Sequence, residues 1–494
     1  MSTKILRSRT GSVLAALGLI ALGVAGPASA APVNLVDPEA TGSITVHKFE
    51  RPTDPTGLPA NGTEVDTTGL SPIAGVEFTV QKVQTLDLGT NAGWAAASDL
   101  SGAFDPADPT GSITGAGYTL ASNGVEVTAT DGTAVFTDLP VGLYLVTESS
   151  YPAGITPSAP FLVTLPLTDP SSTDNWLYDV HVYPKNSLTT ATKTVKESES
   201  VKIGDPVVWT IRADIPNEEI IDGYRIVDAL DSKLDYVSAQ VSLVDGTAIT
   251  EGTDYTITFD QATNTVTVEF TPAGRAILAA HNATQVQVVV NTSVNAIGEI
   301  ENEAVVYPNL PSFDIEPGEP GGPTVTPPVE TKWGELTVAK VDENGDQLAG
   351  AVFSVYASEA DAKAGTNPIE LGGQTQFTIA ADGTLTLSGL RYSDFADGKT
   401  LAPSDPEFRA YWLAEVKAPA GYELLAEPIS FLINAATTAV GVDLTVENVP
   451  HNGGFELPIT GGSGTTAIYI AGALILAGSV VLVLRARRRE PATR

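Results

Sequence analysis

The sequence predicts an all-β protein built from three β-sandwich domains in tandem. Short runs rich in Val, Thr and Ile alternate apolar and polar side chains, as half-buried strands do. Clusters of Gly, Pro, Asp and Asn separate these runs and mark turns. Long stretches with helical periodicity are almost absent. Several short strands with regular turn signals are typical of sandwiches.

The first 30 residues carry the features of a secretory signal peptide. Basic residues precede an apolar run over residues 13–24, and the small residues 28–30 form a cleavage site. The alternative, an N-terminal transmembrane helix, is disfavoured because the run is short and ends at Gly26 and Pro27. The mature chain is therefore expected to begin near Ala31.

Two boundaries divide the remaining chain. The first follows Asn186, where a strand ends and a Thr-rich strand begins, and the second is the Pro-rich segment 311–330, which we expect to be a stiff, extended linker. The expected domains are therefore residues 31–186, 187–310 and 331–452. A weak internal repeat relates the first and third, since 44–48 matches 336–340 and 72–80 matches 347–355.

Strand parity places three polar residues on the apolar side of the third domain. Leu336, Val338 and Lys340 share a face, and Glu415 and Asn448 also point inward on their strands. Such groups are costly to bury unless they satisfy one another. One interpretation is an ordinary buried salt bridge with an amide partner. The other is chemistry, because a desolvated lysine becomes a nucleophile and a desolvated acid gains a proton.

The third domain resembles a Cna-B-type, Ig-like domain. It has the lysine strand, an E-box over residues 411–422 and a terminal asparagine strand, in that order. The resemblance implies an intramolecular isopeptide bond between Lys340 and Asn448, promoted by Glu415 as the catalytic acid.

Residues 176–186 form a second decisive stretch, which ends in Tyr-Pro-Lys. Parity places Val180, Val182 and Asn186 on one face and Lys185 on the other, facing solvent. The stretch resembles the pilin motif of sortase-assembled pili, and this resemblance implies that Lys185 is the intermolecular linkage residue. A bond between Lys48 and Asn186 with Glu148 as the acid is also possible by parity, and we leave it open.

The middle domain departs from the repeat and lacks an E-box. It is similar to the second domain of major pilins, in which an aspartate replaces the acid. This similarity implies a bond between Lys193 and Asn302 with Asp228, and Asn309 is the rival acceptor.

The C-terminus resembles the cell-wall sorting signal of Gram-positive surface proteins. Residues 456–494 contain an LPxTG motif, an uncharged helix over 465–484 that is long enough to cross a bilayer, and a basic tail. In that family a sortase cuts between the threonine and the glycine. The motif is Leu457, Pro458, Ile459, Thr460 and Gly461.

Composition excludes several other functions. The chain has a net charge of −33, which argues against binding nucleic acid, and it has no cysteine for thiol catalysis or disulfides. Four scattered histidines give no indication of a metal site, and no cofactor motif is present. We expect no turnover enzyme.

The combined prediction is a major, or shaft, pilin joined head-to-tail by sortase through Thr460 and Lys185, anchored to the cell wall and supporting adhesion. The implied partners are pilus-specific and housekeeping sortases, other copies of the chain, minor tip and base pilins, peptidoglycan and host receptors that the sequence does not identify. Two alternatives remain open: a singly wall-anchored adhesin of the same domain type, and a wall-anchored hydrolase, which the lack of a clustered site disfavours.

Overall fold

The computed structural model of the chain describes residues 36–52, 56–172, 174–439 and 441–451. The predicted signal peptide, the LPxTG motif and the predicted transmembrane helix 465–484 lie outside these residues. Among the helices that the structure describes, none is long and apolar enough to span a bilayer. The described chain forms two compact units, one of residues 36–151 and 157–186 and the other of 152–156 and 187–451.

Strands dominate both units, which confirms the predicted all-β class. The strands are, in chain order, β1 (Thr41–His47), β2 (Phe49–Glu50), β3 (Glu77–Val83), β4 (Leu120–Val127), β5 (Thr133–Pro140), β6 (Gly142–Ser150), β7 (Ile155–Thr156), β8 (Phe161–Leu165), β9 (Leu167–Thr168), β10 (Trp176–Leu177), β11 (Asp179–Val182) and β12 (Lys185–Leu188). They continue with β13 (Ala191–Lys196), β14 (Pro206–Asp214), β15 (Arg225–Ala229), β16 (Leu234–Leu243), β17 (Tyr255–Asp260), β18 (Thr265–Phe270), β19 (Gln285–Val294), β20 (Gly298–Asn302), β21 (Val305–Tyr307) and β22 (Thr324–Val325). The last are β23 (Val329–Val341), β24 (Val352–Tyr356), β25 (Phe377–Thr378), β26 (Thr384–Arg391), β27 (Phe395–Ala396), β28 (Lys399–Thr400), β29 (Tyr411–Lys417), β30 (Ile429–Phe431) and β31 (Leu444–Glu447).

Short helices sit between the strands. The helices are α1 (Asn91–Ala103), α2 (Pro109–Gly115), α3 (Pro272–Ala280), α4 (Glu359–Ala364) and α5 (Ala435–Thr438), with a 3-10 helix at Pro311–Asp314. Each α-helix starts at a side-chain cap. In α1, for example, the Thr90 hydroxyl accepts a hydrogen bond from the amide of Gly93.

The first unit contains two sheets around a shared core. One has the order β11-β1-β5 and the other β4-β3-β6-β8, and β1 pairs with β11 in parallel. Inward residues of both sheets, such as Ile44 and Phe78, are fully buried. The helix α1 covers a second apolar cluster through Ala97 and Leu100.

The second unit contains two successive sandwiches. The first combines the sheets β13-β14-β19-β16 and β17-β18-β15-β21-β22 around the buried Trp209. The second combines β20-β23-β26, with β31 added to β23, and β25-β24-β29-β30. Here β23 and β31 are parallel, as β1 and β11 are in the first unit.

The strand β23 belongs to both sandwiches of the second unit. Its first half pairs with β20, from Val329 opposite Asn302 to Trp333 opposite Gly298. Its second half pairs with β26 and β31. Trp333 is fully buried in the core of the preceding sandwich. The two sandwiches therefore share one continuous strand.

Polar groups also connect these two sandwiches. Asp397 accepts hydrogen bonds from the backbone amides of Glu197 and Ser198 at 2.8 and 2.9 Å, and its own amide donates to Glu197 at 3.0 Å. Burial, followed by the charge of Asp397, raises the pKa of Glu197 to about 7. The guanidinium of Arg391 is buried among carbonyl oxygens, including that of Ser200 at 3.2 Å.

The segment 311–330 differs from the extended linker expected from its prolines. It begins with the 3-10 helix, and β22 then pairs with β21, placing Val325 opposite Val305. The Thr326 hydroxyl accepts a hydrogen bond from the amide of Ala304 at 2.9 Å. Proline lacks a backbone donor but is compatible with turns and sheet edges, so a Pro-rich segment can fold onto an edge strand.

Candidate functional site

Each of the three sandwiches buries a lysine, a carboxylic acid and an asparagine together. The three residues of each set are far apart in the sequence and lie on different strands or at strand ends. The sets are Lys48, Glu148 and Asn186; Lys193, Asp228 and Asn302; and Lys340, Glu415 and Asn448.

In the first sandwich the three side chains are in mutual contact. The ammonium of Lys48 donates to Glu148 Oε1 and to Asn186 Oδ1. The amide nitrogen of Asn186 donates to Glu148 Oε2 at 2.8 Å, and the amide of Ser158 donates to Asn186 Oδ1 at 2.6 Å. Lys48 also lies over the ring of Phe78, 5.7 Å from its centroid. The asparagine carbonyl is therefore polarised by two donors.

In the middle sandwich the contact joins the lysine and the acid. Lys193 Nζ lies 2.7 Å from Asp228 Oδ1 and donates to the Glu303 carbonyl at 3.1 Å. Glu303 is the neighbour of Asn302, whose amide oxygen and nitrogen are buried without a hydrogen-bond partner among the described residues. Desolvation raises the pKa of Asp228, and the side chain of Asn302 is among the neighbours that oppose this rise. The lysine thus contacts the acid and the backbone carbonyl of the residue after Asn302.

The rival acceptor in that sandwich is fully occupied elsewhere. The amide nitrogen of Asn309 donates to the Ile155 carbonyl at 3.2 Å and to the Thr156 hydroxyl at 3.0 Å. Its oxygen accepts from the amide of Ser312 at 3.0 Å. The geometry thus favours Asn302 over Asn309.

In the third sandwich the acid holds the asparagine. Asn448 Nδ2 donates to both carboxylate oxygens of Glu415 at 3.1 and 3.0 Å, and to the Glu423 carbonyl at 2.7 Å. Its oxygen has no partner among the described residues. Lys340 is fully buried and donates to the Val446 carbonyl at 2.9 Å, two residues before Asn448 on the adjacent parallel strand.

Burial shifts Lys340, Lys193 and Asp228 toward their neutral forms. Desolvation lowers the pKa of Lys340 to about 8, against a smaller opposing effect of Glu415. Desolvation likewise lowers the pKa of Lys193 and raises that of Asp228, and the attraction between the two opposes both shifts. A lysine with a lowered pKa beside an acid with a raised pKa can act as an amine nucleophile next to a proton donor.

Some supporting residues were missed by the sequence reasoning. The turns before β5 and β26 both read Asp-Gly-Thr. Each glycine carbonyl accepts a hydrogen bond from the backbone amide of the buried lysine: Gly132 from Lys48 and Gly383 from Lys340, both at 2.8 Å. Gly132 has a φ of 78°, and a Cβ there would meet the Lys48 carbonyl at 2.4 Å, so only glycine fits. The repeated Ala-x-Asp-Gly-Thr was the available signal.

Ser158 was also missed, and nothing in the sequence pointed to it. Its hydroxyl donates to Glu148, and its amide contacts Asn186. By contrast, the two acids of the related sandwiches occupy equivalent positions, since Glu148 pairs with Phe78 and Glu415 with Phe353.

Lys185 begins β12 and pairs with Phe49. The expectation that it faces solvent needs correction, because the side chain is half-buried, with its Nζ 3.5 Å from the Tyr183 carbonyl. Desolvation and the nearby charge of Arg51 lower its pKa. It borders a largely apolar groove of about 690 Å³ within the first unit, whose lining includes Leu70. The amine is thus positioned by the fold rather than free in solvent.

The remaining predicted site residues, Leu457 to Gly461 with Thr460 among them, lie outside the described residues. No group of His, Cys, Asp or Glu suited to hold a metal ion occurs in the part of the chain that the structure describes.

Three tandem sandwiches with buried Lys–acid–Asn sets, a Tyr-Pro-Lys stretch that ends the first of them and an LPxTG segment after the third are typical of one class of wall-anchored bacterial surface proteins. The family comparisons agree along the chain. The Gram-positive pilin subunit D1 N-terminal domain matches residues 39–187, the Sgo0707 N2 domain 188–309, a prealbumin-like fold domain 334–448 and the LPXTG cell wall anchor motif 449–490.

The chain belongs to the major pilins of sortase-assembled Gram-positive pili. It is 35% identical to the type 1 fimbrial subunit of Actinomyces viscosus, over 99% of both chains. The solved full-length major pilin SpaD of Corynebacterium diphtheriae is 31% identical, with a TM-score of 0.66 over 85% of this chain and 99% of that one. The major pilin SpaA of the same organism is 27% identical, with a TM-score of 0.60 over 83% and 100%. The protein is thus an exported, wall-anchored structural subunit of a surface pilus.

Proposed function

We propose that this subunit is polymerised head-to-tail through Thr460 of one copy and Lys185 of the next. A pilus-specific sortase would hold the Thr460 carbonyl as a thioester on its cysteine. The neutral amine of Lys185 attacks that carbonyl, the carbon–sulfur bond breaks and an amide forms. One proton of the amine passes to the cysteine sulfur, which regenerates the sortase thiol, so atoms and charge balance.

The setting of Lys185 supports this role. Only a deprotonated amine attacks a thioester, and partial burial beside Arg51 raises the neutral fraction of Lys185 at a given pH. The strand pair between β2 and β12 fixes its backbone, and the adjoining groove leaves room for an incoming segment. A fixed amine beside an open groove suits a reaction with a large, enzyme-bound partner.

The same chain also cross-links itself in this proposal, through Lys48–Asn186, Lys193–Asn302 and Lys340–Asn448. In each site the neutral lysine Nζ attacks the asparagine Cγ, the Cγ–Nδ2 bond breaks and ammonia leaves. The acid polarises the amide and carries protons between the amine and the leaving nitrogen. Each site acts once, so the acids Glu148, Asp228 and Glu415 serve a single turnover.

The observation that carries this proposal is the convergence of the same three side-chain types in all three sandwiches. A plain buried ion pair needs no asparagine, and burying charges without compensating contacts is costly. Here Asn186 and Asn448 both donate to the acid, and Asn302 lies beside it. These positions of the asparagines support the proposed bond in each site.

The proposal includes the partners and the domain limits. Residues 31–186 present the linkage lysine, 187–310 and 331–452 extend the shaft, and 456–494 deliver Thr460 to sortase. A housekeeping sortase would transfer the finished polymer to peptidoglycan, minor pilins would occupy tip and base, and host receptors would be the targets of adhesion.

A blot of boiled, SDS-treated wall extracts tests the linkage. Cells that display wild-type chain should give a ladder of high-mass species, and Lys185→Ala should reduce it to monomer. The matched control is Lys82→Ala, because Lys82 lies in the same sandwich and burial likewise lowers its pKa. A single band in all strains would contradict the polymer and leave a singly anchored adhesin.

A further inference from the structure

Two histidines form a hydrogen-bonded, stacked pair just ahead of Lys185. His47 ends β1 and His181 lies on the adjacent parallel strand β11; His47 Nε2 is 2.8 Å from His181 Nδ1, and the ring centroids are 5.1 Å apart. His47 also stacks on Tyr183, with centroids 4.7 Å apart and planes at 9°. Together His47, His181 and Tyr183 form what we call the ring stack.

The ring stack is tied directly to the strand that carries Lys185. The Tyr183 hydroxyl accepts from the amide of Val65 at 2.9 Å, and the amide of His181 donates to the Gly62 carbonyl at 2.8 Å. His181, Tyr183 and Lys185 alternate along the chain and all border the same groove. The carbonyl that Lys185 Nζ approaches belongs to Tyr183 itself. The residue whose ring completes the stack therefore also supplies the carbonyl beside the amine.

A hydrogen bond between two imidazole rings can exist only in some protonation states of the pair. One ring nitrogen must donate and the other must accept, so the bond persists when both rings are neutral or when one is charged. When both rings are protonated no acceptor remains, and two like charges face each other across the former bond. The pair therefore breaks at its second protonation.

We propose that the ring stack is a positioning device for Lys185, and that it holds the amine in its reactive place only while the His47–His181 pair carries at most one proton. The inference rests on the proposed linkage at Lys185 and adds His47, His181 and Tyr183 to that reaction as positioning residues. When the pH falls below the pKa of the second protonation of the pair, Tyr183 is released and the reaction of Lys185 with the sortase-bound Thr460 becomes slower.

The surrounding charges set the direction of the pH effect. Burial first, and the charge of His181 second, lower the pKa of His47, while Glu64 and Asp131 act in the opposite direction. The folded state therefore disfavours the protonated ring, so the arrangement is stable above the ordinary histidine pKa and weakens as the pH falls below it. Arg51, whose charge lowers the pKa of Lys185, does not titrate in this range.

The test measures coupling of a synthetic peptide of residues 454–463 to the exported chain by a purified pilus-polymerising sortase. The acceptor chain carries Thr460→Ala so that it cannot donate to itself. Initial rates are taken from pH 5 to pH 8 for three acceptors: the otherwise unchanged chain, His47→Phe and Lys185→Arg. The ratio of the first two rates at each pH removes the pH dependence of the sortase.

We expect this ratio to be constant above pH 7 and to fall by about threefold or more by pH 5, because Phe keeps the stack on Tyr183 but has no proton to gain. A ratio that does not change with pH, with Lys185→Arg inactive, would overturn the positioning role alone. Coupling that persists in Lys185→Arg would overturn the linkage itself. Proton NMR of the unchanged chain gives an independent check: His47 should protonate below the ordinary histidine pKa, and an unshifted titration of His47 at about 6.5 would also overturn the inference.

Discussion

The substitution Glu415→Gln should separate covalent from non-covalent stabilisation of the third sandwich. The glutamine has nearly the shape of the acid but cannot carry protons, so the bond between Lys340 and Asn448 should not form. Such a bond closes a loop of about 108 residues. By the chain-entropy relation for cross-links of that size, its loss costs about 4.7 kcal/mol.

The other effects of the substitution are smaller. Replacing one carboxylate oxygen by an amide disturbs one hydrogen bond from Asn448, at about 1 kcal/mol. Lys340 loses its counter-charge, but because its pKa is about 8 it is mostly neutral at pH 8.5 and needs none there. At roughly 4 °C per kcal/mol or more, loss of the bond should lower the melting temperature of this sandwich by about 20 °C.

Calorimetry and intact-mass measurement of the exported chain at pH 8.5 make this test. The wild-type mass should be lower than the sequence mass by one ammonia per bond, and the variant should regain one ammonia. Glu447→Gln is the matched control, since the charge of Glu447 also raises the pKa of Lys340 but its side chain is exposed, whereas Glu415 is buried. A shift of only about 4–8 °C, as one hydrogen bond predicts, with the ammonia deficit intact, would refute the role of Glu415.

Three further results are expected. Asn302→Ala should restore one ammonia to the intact mass and Asn309→Ala should not; the reverse would reassign the acceptor. In an Asn448→Ala chain, which cannot form the bond, the folded-state pKa of Lys340 is below its unfolded value of 10.5. The free energy of unfolding, measured with urea, should therefore rise by up to about 3 kcal/mol between pH 8 and 10.5. The reference for this rise is the same chain with Lys340→Met. The pKa of Glu197 is raised from 4.5 to about 7, so the stabilisation that its protonated form gives is lost as the pH rises through 7. Glu197→Gln should therefore be more stable than wild type by up to about 3 kcal/mol at pH 8 and equally stable at pH 4.5. Equal stabilities of the two chains at both pH values would contradict a buried acid at this position.

The strand alternation of the sequence was enough to place the members of the buried sets on inward faces, while their grouping into sets followed from the family resemblance. Lys193 and Lys340 lie among apolar residues of equal parity, and a polar residue at an inward position has few explanations other than a partner. Strand alternation can be read from a few consecutive residues. The lysines, acids and asparagines that it places inward are buried in the structure. Their roles in bond formation stay a prediction.

Features that depend on distant pairing were beyond the same reasoning. Ser158 joins the first site only because its segment folds beside Glu148, and nothing local marks it. The burial of Lys185 depends on residues from several strands around the groove, although its alternation pattern predicted exposure. The Pro-rich segment 311–330 was assigned from composition, which cannot show that its β22 has an edge strand to join.

The shared strand β23 has a consequence for the survival of the protein outside the cell. Proteases cut chains at exposed, mobile tips and linkers that can be drawn into an extended form in their active sites. Between the last two sandwiches this chain offers a strand paired on one half with β20 and on the other with β26 and β31. Cutting there would first require both sheets to open. The junction that would be the weakest point of an ordinary multidomain surface protein is therefore closed to digestion.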